Sequence, residues 1–523
     1  MTTSRPAAAL TGLACGALVA GASALVAGLL ERLGLDGGEP FPVVAVGDAF
    51  VDVTPDWLRE NAIQTFGGHD KTALFIGIAV VLAVLCALLG ILARSRVAAA
   101  LLGFAVLGAV GLAAVLTRPD ATPLDVAPTV IATLIGMFAL RALHRAAPAG
   151  RTPSPATDRP VTGDPGVPLP ARRPVVGWGV ALVALGLLGT WLGRGIATGS
   201  EQVRRVRRSV RLPGVADPVR VPEAAQVHVP GATPFIVPTD RFYRVDTALV
   251  VPQVDPATWR LRVHGMVERE VTLTWTELLD KPLQEAMVTL TCVSNEVGGD
   301  LAGNAVWTGW PVRELLALAG PRPGADMVLS RSVDGFTAGT PLSTLTDGRN
   351  ALVAVGMDGE PLPIEHGFPA RLVVPGLYGY VSATKWVTDL KVTTFARDEG
   401  YWTPRGWSAR GPIKTASRID VPRSGSVVRA GTVAVAGVAW AQHRGISSVE
   451  VRADDGPWRQ ARLAAQPTVD AWREWVLRWE ATRGHHTLTV RATDGAGDLQ
   501  AKAFAPPVPN GSSGWHTVSV RVD

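Results

Sequence analysis

The chain has 523 residues, of which 47% are hydrophobic and 18% charged, and it carries a formal net charge of +5. Its mean hydropathy of +0.22 is too high for an ordinary soluble protein, and the small net charge excludes a large basic surface for nucleic acid. Three cysteines cannot build a disulfide framework. The apolar residues are concentrated in the first 200 positions, so we predict a multi-domain chain with a membrane part and a soluble part.

The 1–200 region is predicted to be transmembrane, because it contains apolar runs of the ~20 residues that a helix needs to cross a bilayer. Five runs meet this length: 8–30, 72–93, 97–117, 124–143 and 175–193. The 31–70 loop is acidic, whereas the 94–96 loop and the 146–172 linker are flanked by or contain arginines, which stay in the cytoplasm. We therefore predict a multi-pass cell-membrane protein whose soluble part, after the fifth run, is extracytoplasmic.

Two features of the membrane region bear on export and on haem. Arg172 and Arg173 precede the fifth run, and they fit either a positive-inside anchor or an internal twin-arginine export signal. His69 and His144 fall at element ends on opposite sides of the predicted bilayer. Because two such histidines cannot share one iron, we predict no haem.

The soluble part is predicted to contain three segments. Residues 201–239 are rich in proline and valine and indicate an extended lead-in. From 240 to 420, short β-like runs alternate with turns and a few helical stretches, notably 275–280 and 312–319, which indicates an α+β domain. From 421 to 523, strands of alternating apolar and polar residues recur with D-D-G-P and D-G-A-G turns, which favours an immunoglobulin-like β-sandwich.

Cys292 is the only cysteine of the soluble part, at the end of the apolar run M-V-T-L-T and before Ser-Asn-Glu and Gly-Gly. A lone buried cysteine is most often simple packing. A nucleophile would need a base that its neighbours lack, and a redox thiol would need a resolving partner. A thiolate could instead bind a metal centre that brings its other ligands. Cationic segments at 240–244, 366–371 and 378–386 suit a phosphate-bearing cofactor and favour this last interpretation.

The soluble part resembles the sulfite oxidase family of molybdopterin-dependent oxidoreductases. The matching strings are M-V-T-L-T-C-V-S-N (287–295), W-T-G-W-P-V-R-E-L-L (307–316), G-E-P-L-P-I-E-H-G-F-P-A-R-L-V-V-P-G (359–376) and S-A-T-K-W-V (382–387). The strings G-T-V-A-V-A-G-V-A-W and W-H-T-V-S-V-R-V resemble the family's dimerisation domain. The resemblance covers about 230–523 and not the five membrane helices, and it implies a sulfite-oxidase-like molybdopterin-binding domain at 240–420. Together with the apolar runs, it indicates a membrane-anchored bacterial member of the family.

The resemblance also implies a site. Cys292 would be the catalytic residue and the thiolate ligand of molybdenum, held by a molybdopterin cofactor. The positions that would hold the cofactor are Asp240, Tyr243, Arg244, Cys292, Ser332, His366, Arg371, Ser382, Ala383, Thr384 and Lys385. Arg371 and Lys385 are the expected phosphate partners. His366 is expected to bond the pterin, with orientation of its own turn as the alternative.

The expected function is membrane-anchored, extracytoplasmic oxygen-atom transfer, a two-electron reaction on a small oxidised or oxidisable S- or N-compound. Sulfite-oxidising members place arginines after Cys-x-x-Asn and a tyrosine in a nearby loop, whereas this chain has Glu296 and Phe336 there. Electrons would pass to or from a quinone-linked or cytochrome partner, and the C-terminal domain could form a homodimer. Two alternatives stay open: sulfite oxidation with a divergent anion site, and a non-enzymatic membrane-anchored binding module.

Overall fold

The computed structural model of the chain divides into two compact units. It describes residues 4–33, 35, 37–55, 58, 65–66, 70–118, 121–146, 181–190, 192 and 199–523. One unit comprises Met1–Gln202 with Ala248–Val250, and the other comprises Val203–Thr247 with Val251–Asp523. The first unit is helical and apolar, and the second is built around β-sheets.

The helices of the first unit include four that are long and apolar enough to cross a membrane. The helices are α1 (Arg5–Leu33), α2 (Pro42–Val53), α3 (Asp70–Leu92), α4 (Val97–Leu116), α5 (Ala127–Ala146) and α6 (Ala181–Thr190). The four candidate spans are α1, α3, α4 and α5. Four of the five predicted spans are therefore present as long helices.

The prediction of five spans is one too many for the part of the chain that the structure describes. The fifth run, 175–193, contributes the ten-residue helix α6, and ten helical residues extend only ~15 Å, about half of a hydrocarbon core. Most of the 146–172 linker, and both Arg172 and Arg173, lie outside the described residues. The acidic 31–70 segment, predicted as a loop, contains α2, which starts with a proline in its first turn.

The helices of the first unit approach one another closely at small residues. A Cβ at Gly12 of α1 would meet the backbone of Cys86 in α3, and one at Gly90 of α3 would meet Ala8 of α1. A Cβ at Gly21 would likewise meet Gly186 of α6. Small residues let helix backbones pack tightly where hydrophobic burial supplies no driving force between helices.

The second unit begins with helix α7 (Gly199–Ser209), which starts in the preceding unit, and continues into two β-sheets, one mixed and one antiparallel. The strands are β1 (Arg260–Gly265), β2 (Val271–Thr274), β3 (Gln284–Thr291), β4 (Ala302–Pro311), β5 (Met327–Ser332), β6 (Thr337–Pro341), β7 (Leu352–Met357), β8 (Glu360–Pro361), β9 (Arg371–Val373) and β10 (Val387–Thr393). One sheet has the order β2-β1-β10-β5-β6, with only β1 and β10 parallel, and the other has the order β3-β4-β7-β8, with β9 also pairing β7. Short helices α8 (Trp275–Leu279), α9 (Val312–Ala319) and α10 (Leu342–Thr346) connect them, which confirms the predicted α+β domain and its two predicted helices.

The C-terminal part consists of two further sheets that share one core. Its strands are β11 (Ala416–Val421), β12 (Val427–Val428), β13 (Gly431–Trp440), β14 (Ile446–Ala453), β15 (Arg459–Gln460), β16 (Arg462–Leu463), β17 (Arg473–Ala481), β18 (Gly484–Asp494) and β19 (His516–Val522). The sheets have the orders β11-β13-β17-β16 and β12-β19-β18-β14-β15. Residues of both sheets, such as Trp475 on β17 and Val490 on β18, form the buried cluster. The β-rich tail is confirmed as a sandwich, and its immunoglobulin type stays a prediction.

Candidate active site

Cys292 follows directly on β3 and is buried, with 9% of its surface exposed. Its neighbours Leu290 and Val293 belong to the hydrophobic cluster on this side of the domain, but among the described residues Cys292 belongs to none of the clusters. A small cavity of about 20 Å³, the size of about one water, lies beside this strand end and is lined in part by Thr291, Asn295 and Tyr378. Cys292 does not itself line this cavity, but its buried thiol has polar partners at Ser294 and Val293.

The sulfur of Cys292 is surrounded by hydrogen-bond donors. Burial raises the pKa of Cys292, while hydrogen bonds from the backbone and hydroxyl of Ser294 and from the Val293 backbone lower it. The Cys292 N–H donates to Leu301 O at 2.9 Å, and its carbonyl accepts from Asn295 N at 3.1 Å. Donors aimed at sulfur stabilise a thiolate, which is the form that binds metals.

Arg371, the first residue of β9, provides a buried positive charge. It is 5% exposed, it lies over the Trp307 ring with 5.0 Å to the ring centroid, and its guanidinium donates only to backbone carbonyls, at 3.1 Å to His366 and 3.2 Å to Ala383. Burial lowers the pKa of Arg371 to about 10. No carboxylate pairs with it among the described residues, so this buried cation lacks a counter-ion.

Lys385 and Arg244 share one carboxylate. Lys385 Nζ donates to Asp246 Oδ2 at 2.7 Å, and Arg244 Nε lies 3.2 Å from the same oxygen. Burial lowers the pKa of Lys385 to about 8, although Asp246 opposes this shift. Lys385 and Arg244 thus have Asp246 as their only ion-pair partner within the described part of the chain, and Arg371 has none there. This excess of positive charge suits a bound anion.

His366 lies beside these cations and is held neutral. Burial, together with the charges of Arg371 and Lys385, lowers the pKa of His366 to about 3. The ring packs edge-on against Phe242, with 5.6 Å between centroids. A neutral imidazole at this position can both donate and accept a hydrogen bond.

Gly367 lets the 366–371 turn close on the 382–385 turn. Its φ is +109°, and a Cβ there would meet the Cβ of Arg371 and the Cα of Lys385, each at 3.1 Å. The turn therefore requires glycine on both conformational and steric grounds. This close approach brings together residues 366, 371 and 385, which the sequence predicted as cofactor contacts.

The remaining predicted residues lie in different surroundings. Tyr243 is half-buried, and burial together with the neighbouring Cys292 raises its pKa, whereas Arg371 lowers it. Ser332 is 2% exposed, and its hydroxyl has no hydrogen-bond partner among the described atoms. In the turn, the hydroxyls of Ser382 and Thr384 bond Tyr378 O and Ser330 Oγ at 2.9 and 2.7 Å, and Ala383 offers its carbonyl to Arg371.

Asp240 lies at the edge of this group, next to Thr239, whose backbone hydrogen-bonds His366. It is exposed on the short 3-10 turn Thr239–Arg241. It lines a separate groove of about 370 Å³ together with Arg207, Thr239, Met357, Asp358, Glu360 and Pro363.

Comparison with known proteins identifies the family. The oxidoreductase molybdopterin binding domain model matches residues 248–402. Human mitochondrial sulfite oxidase is 30% identical over 343 residues, which cover 55% of this chain and 62% of that protein. The uncharacterized oxidoreductase YuiH of Bacillus subtilis is 32% identical over 157 residues, which cover 30% of this chain and 76% of that protein. This chain belongs to the sulfite oxidase family of molybdopterin-dependent oxidoreductases.

The match to this family has a limited extent. The chain spans 62% of the length of the mammalian sulfite oxidases that it matches. Among solved structures, the sulfane dehydrogenase SoxCD from Paracoccus pantotrophus is 23% identical, with 61% of this chain and 90% of that chain covered and a TM-score of 0.49.

The residues of this family member fit a molybdenum cofactor on three structural observations. The Cys292 sulfur has N–H and O–H donors but no place in a hydrophobic cluster. Arg371 is a buried cation without a carboxylate partner in the described chain. Ser332 holds a buried hydroxyl that bonds no described atom. A soft thiolate, a phosphate-binding cation and a free polar group are the contacts that a pterin with a phosphate and a thiolate-ligated metal requires.

Three residues of this arrangement were missed by the sequence reasoning. Asp246 balances Lys385 across 139 positions of sequence, Trp307 supports Arg371, and Tyr378 lies close enough to Cys292 for the thiol to raise its pKa further, beyond the larger effect of burial. Asp246 and Tyr378 fall within or next to segments already singled out, at 240–244 and 378–386. Their position in the sequence, within or next to these segments, was the only signal that could have identified them.

Proposed function

We propose that this chain is a membrane-anchored molybdenum-cofactor oxidoreductase whose catalytic domain is extracytoplasmic. The observation that carries the proposal is the position of the Cys292 thiol. It is buried among hydrogen-bond donors. It also lies close to Tyr243, and the unpaired cation Arg371 lies close to the same tyrosine. A merely packed cysteine would not require a cation without a counter-ion nearby. The family membership supports the same assignment.

The chain's residues would divide the work of holding the cofactor. Cys292 would ligate the metal through its sulfur, and Arg371 and Lys385 would bind the phosphate. His366, held neutral by its surroundings, would exchange hydrogen bonds with the pterin, and Ser332 would add a hydroxyl contact. When bound, the molybdenum cofactor supplies two-electron oxygen-atom transfer.

The loop that follows Cys292 supports a neutral S- or N-oxide over an anion as substrate. Polar but uncharged groups, including Thr291, Asn295 and Tyr378, line the cavity beside the strand end, and Glu296 is the charged residue that joins them. A carboxylate repels an anionic substrate, and an anion would need desolvated cations at the same place.

Sulfite oxidation is the second candidate function, and the naming of the relatives as sulfite oxidases supports it. The two candidates separate in steady-state assays of the molybdenum-loaded full-length protein with sulfite and with a panel of S- and N-oxides. Turnover of an oxide with reduced viologen as electron donor, and none of sulfite with ferricyanide as acceptor, supports oxide reduction. The reverse pattern assigns sulfite oxidation, and turnover of neither refutes both.

The location and partners of the protein are part of the proposal. The four long apolar helices support membrane anchoring, and the extracytoplasmic side follows only if the 175–193 run also crosses the bilayer. Electrons would be exchanged with a quinone-linked or cytochrome partner, and the β-sandwich is proposed as the surface for a homodimer. His144 lies in the last turn of α5 and His69 lies outside the described residues, so the absence of haem stays a prediction.

A further inference from the structure

Strand β3, which ends at the Cys292 thiol, is an edge strand of its sheet. It pairs with β4 from Gln284↔Gly309 to Thr291↔Ala302, and the sheet order β3-β4-β7-β8 leaves its other edge without a strand. An edge strand presents unpaired N–H and C=O groups, which must find other partners when they are buried. Thr289 and Thr291 are each 1% exposed, so their partners decide how firmly the strand end is held.

The partners of this edge come from the C-terminal sandwich. Thr289 N donates to Asp470 O at 3.0 Å, and Thr289 Oγ1 accepts from Trp472 N at 2.8 Å. The side-chain amide of Gln442 donates at 2.9 Å to both Thr289 O and Thr291 Oγ1. Gln442 itself is 1% exposed. A single buried amide therefore bonds both Thr289 and Thr291, and Thr291 directly precedes Cys292.

The loop that follows Cys292 is held from the same side. Ser512 Oγ donates to Asn295 O at 2.6 Å, and Arg418 Nη1 donates to Gly299 O at 2.7 Å. The ring of His516 packs against Gly298, whose φ of +81° and lack of a Cβ allow the contact. The sandwich therefore holds the backbone on both sides of Cys292.

We propose that the C-terminal β-sandwich positions the Cys292 thiol, and that Gln442 is a positioning residue for it. The inference rests on the proposed function, because a metal ligand must be held within about 0.5 Å of a fixed geometry, whereas an inert cysteine need not be. The contacts at Thr289 and Thr291 fix the strand end, and those at Asn295 and Gly299 fix the loop. The sandwich thus takes part in the active site independently of any dimer.

The substitution Gln442→Leu tests the role of the amide, because leucine keeps the size of glutamine but cannot donate a hydrogen bond. Gln442→Leu leaves Thr289 O and Thr291 Oγ1 buried without this donor, so the strand end should open locally. The control is Val449→Ala, which removes volume from the fully buried core between the two sandwich sheets and none of the bonds to β3. Both variants are made in the full-length chain, purified without cofactor.

Two measurements on the cofactor-free proteins report the position of the thiol. Hydrogen exchange of amides 289–299, followed by mass spectrometry, and alkylation of Cys292 by iodoacetamide should each be about tenfold faster in Gln442→Leu, as expected for a local opening that loses one to two buried hydrogen bonds. Cys15 and Cys86, buried in the membrane unit, serve as internal references. Val449→Ala should leave both rates at the wild-type value.

The outcomes separate the inference from the proposed function. Equal rates in Gln442→Leu, Val449→Ala and the wild type would overturn the positioning role. If Gln442→Leu does not fold, Ser512→Ala removes the loop contact instead, and unchanged exchange at 295–299 in that variant overturns the role equally. A wild-type protein that takes up no molybdenum would defeat the proposed function, whereas the exchange rates would still measure positioning. Loss of molybdenum in Gln442→Leu with retention in Val449→Ala supports both.

Discussion

At the scale of single residues, the candidate site contains more cationic than anionic side chains, so part of its positive charge is not neutralised by the protein. Arg371 is buried with carbonyl partners only, and Lys385 has to share Asp246 with Arg244. A stability-optimised interior would pair or omit such charges. The free-energy cost of burying these charges is offset if a bound anionic group pairs with them. Such an excess of charge is typical of a cofactor pocket and not of ordinary packing.

His366 provides a pH-dependent test of this electrostatic description. Its pKa is about 3 in the folded chain and about 6.5 when unfolded. Because the unfolded chain binds the proton first, stability falls as pH drops below 6.5, by about 2 kcal/mol between pH 6.5 and 5. Thermal unfolding of the cofactor-free protein in detergent, followed by tryptophan fluorescence, should show this loss in the wild type and a smaller loss in His366→Gln.

The exposed His228 supplies the control for that experiment. His228→Gln should keep the wild-type pH dependence, since it leaves His366 and its surroundings unchanged. An equal pH dependence in His366→Gln and the wild type would show that His366 is not held neutral. A phosphate bound beside His366 should reduce the slope, because an anion favours the charged imidazole.

At the scale of elements, the 201–239 lead-in is fastened to the sandwich. Val227 N donates to Glu474 Oε2 at 2.7 Å, Thr233 N donates to Asp420 Oδ2 at 3.0 Å, and Ala465 N donates to Ala224 O at 2.8 Å. Glu474, on β17, is 1% exposed, and its Oε1 has no partner among the described atoms. The lead-in is thus held in part by a buried carboxyl group with one unpaired oxygen, and burying such a group costs free energy.

Replacing this carboxyl group should stabilise the protein at alkaline pH. Burial raises the pKa of Glu474 to about 7, above its unfolded value, so the folded state keeps a proton that the unfolded state loses. The stability contribution is full below about pH 4.5 and is lost as pH rises to 7. Glu474→Gln keeps an acceptor for Val227 without the charge, so it should raise the free energy of unfolding at pH 8 by about 2 kcal/mol.

Chemical denaturation at pH 5 and pH 8 checks this expectation. The gain in Glu474→Gln should be present at pH 8 and small at pH 5, where the carboxyl group is already protonated. The exposed Glu480 on the same strand gives a matched variant, Glu480→Gln, that should change little at either pH. A destabilised Glu474→Gln at pH 8 would mean that the carboxylate is compensated in the folded chain.

The sequence predicted some elements and could not reach others, for physical reasons. Apolar length identified α1, α3, α4 and α5, and period-2 alternation identified the strands of the sandwich. The acidic composition of 31–70 hid α2, although its N-terminal proline was visible. The sequence also left open whether Trp472 and Trp475 are core, and both are fully buried, because the two faces of a strand cannot be ranked without knowing what covers them.

The same limit applies to the site. The family strings brought Cys292, His366, Arg371 and Lys385 into one hypothesis, and the structure places the last three together. Which cation would be paired was beyond reach, since the Asp246 carboxylate meets Lys385 only through the tertiary fold. The contribution of Gln442 was equally hidden, because it comes from a part of the chain predicted to be a separate domain.

At the scale of the whole molecule, the number of helices in the first unit that cross a bilayer would decide on which side the proposed chemistry occurs. Four spans return the chain to the side of its N-terminus, and a fifth places the soluble unit on the other side. Alkaline phosphatase fused after Asp523 should be active if 175–193 crosses the bilayer, and a green fluorescent protein fused there should be dark. Leu185→Arg with Leu188→Arg, which costs about 2.5–3.5 kcal/mol per arginine in a span, should reverse both signals.

The outcome for the wild-type fusion tests the extracytoplasmic location by itself. A fluorescent fusion without phosphatase activity would place the soluble unit in the cytoplasm and contradict that part of the proposal. It would leave the assignment of the cofactor site unaffected, because that site lies wholly within the soluble unit. The two questions are therefore independent.

The most direct test of the central claim is the molybdenum and pterin content of the purified full-length chain, compared with that of Cys292→Ser. The account predicts about one molybdenum and one pterin per wild-type chain, and loss of molybdenum in Cys292→Ser, because a serine oxygen cannot replace a soft thiolate ligand. The buried Cys86→Ser serves as the control and should keep its metal. A wild-type chain free of molybdenum after expression with cofactor synthesis, or a Cys292→Ser variant that retains it in full, would contradict the account.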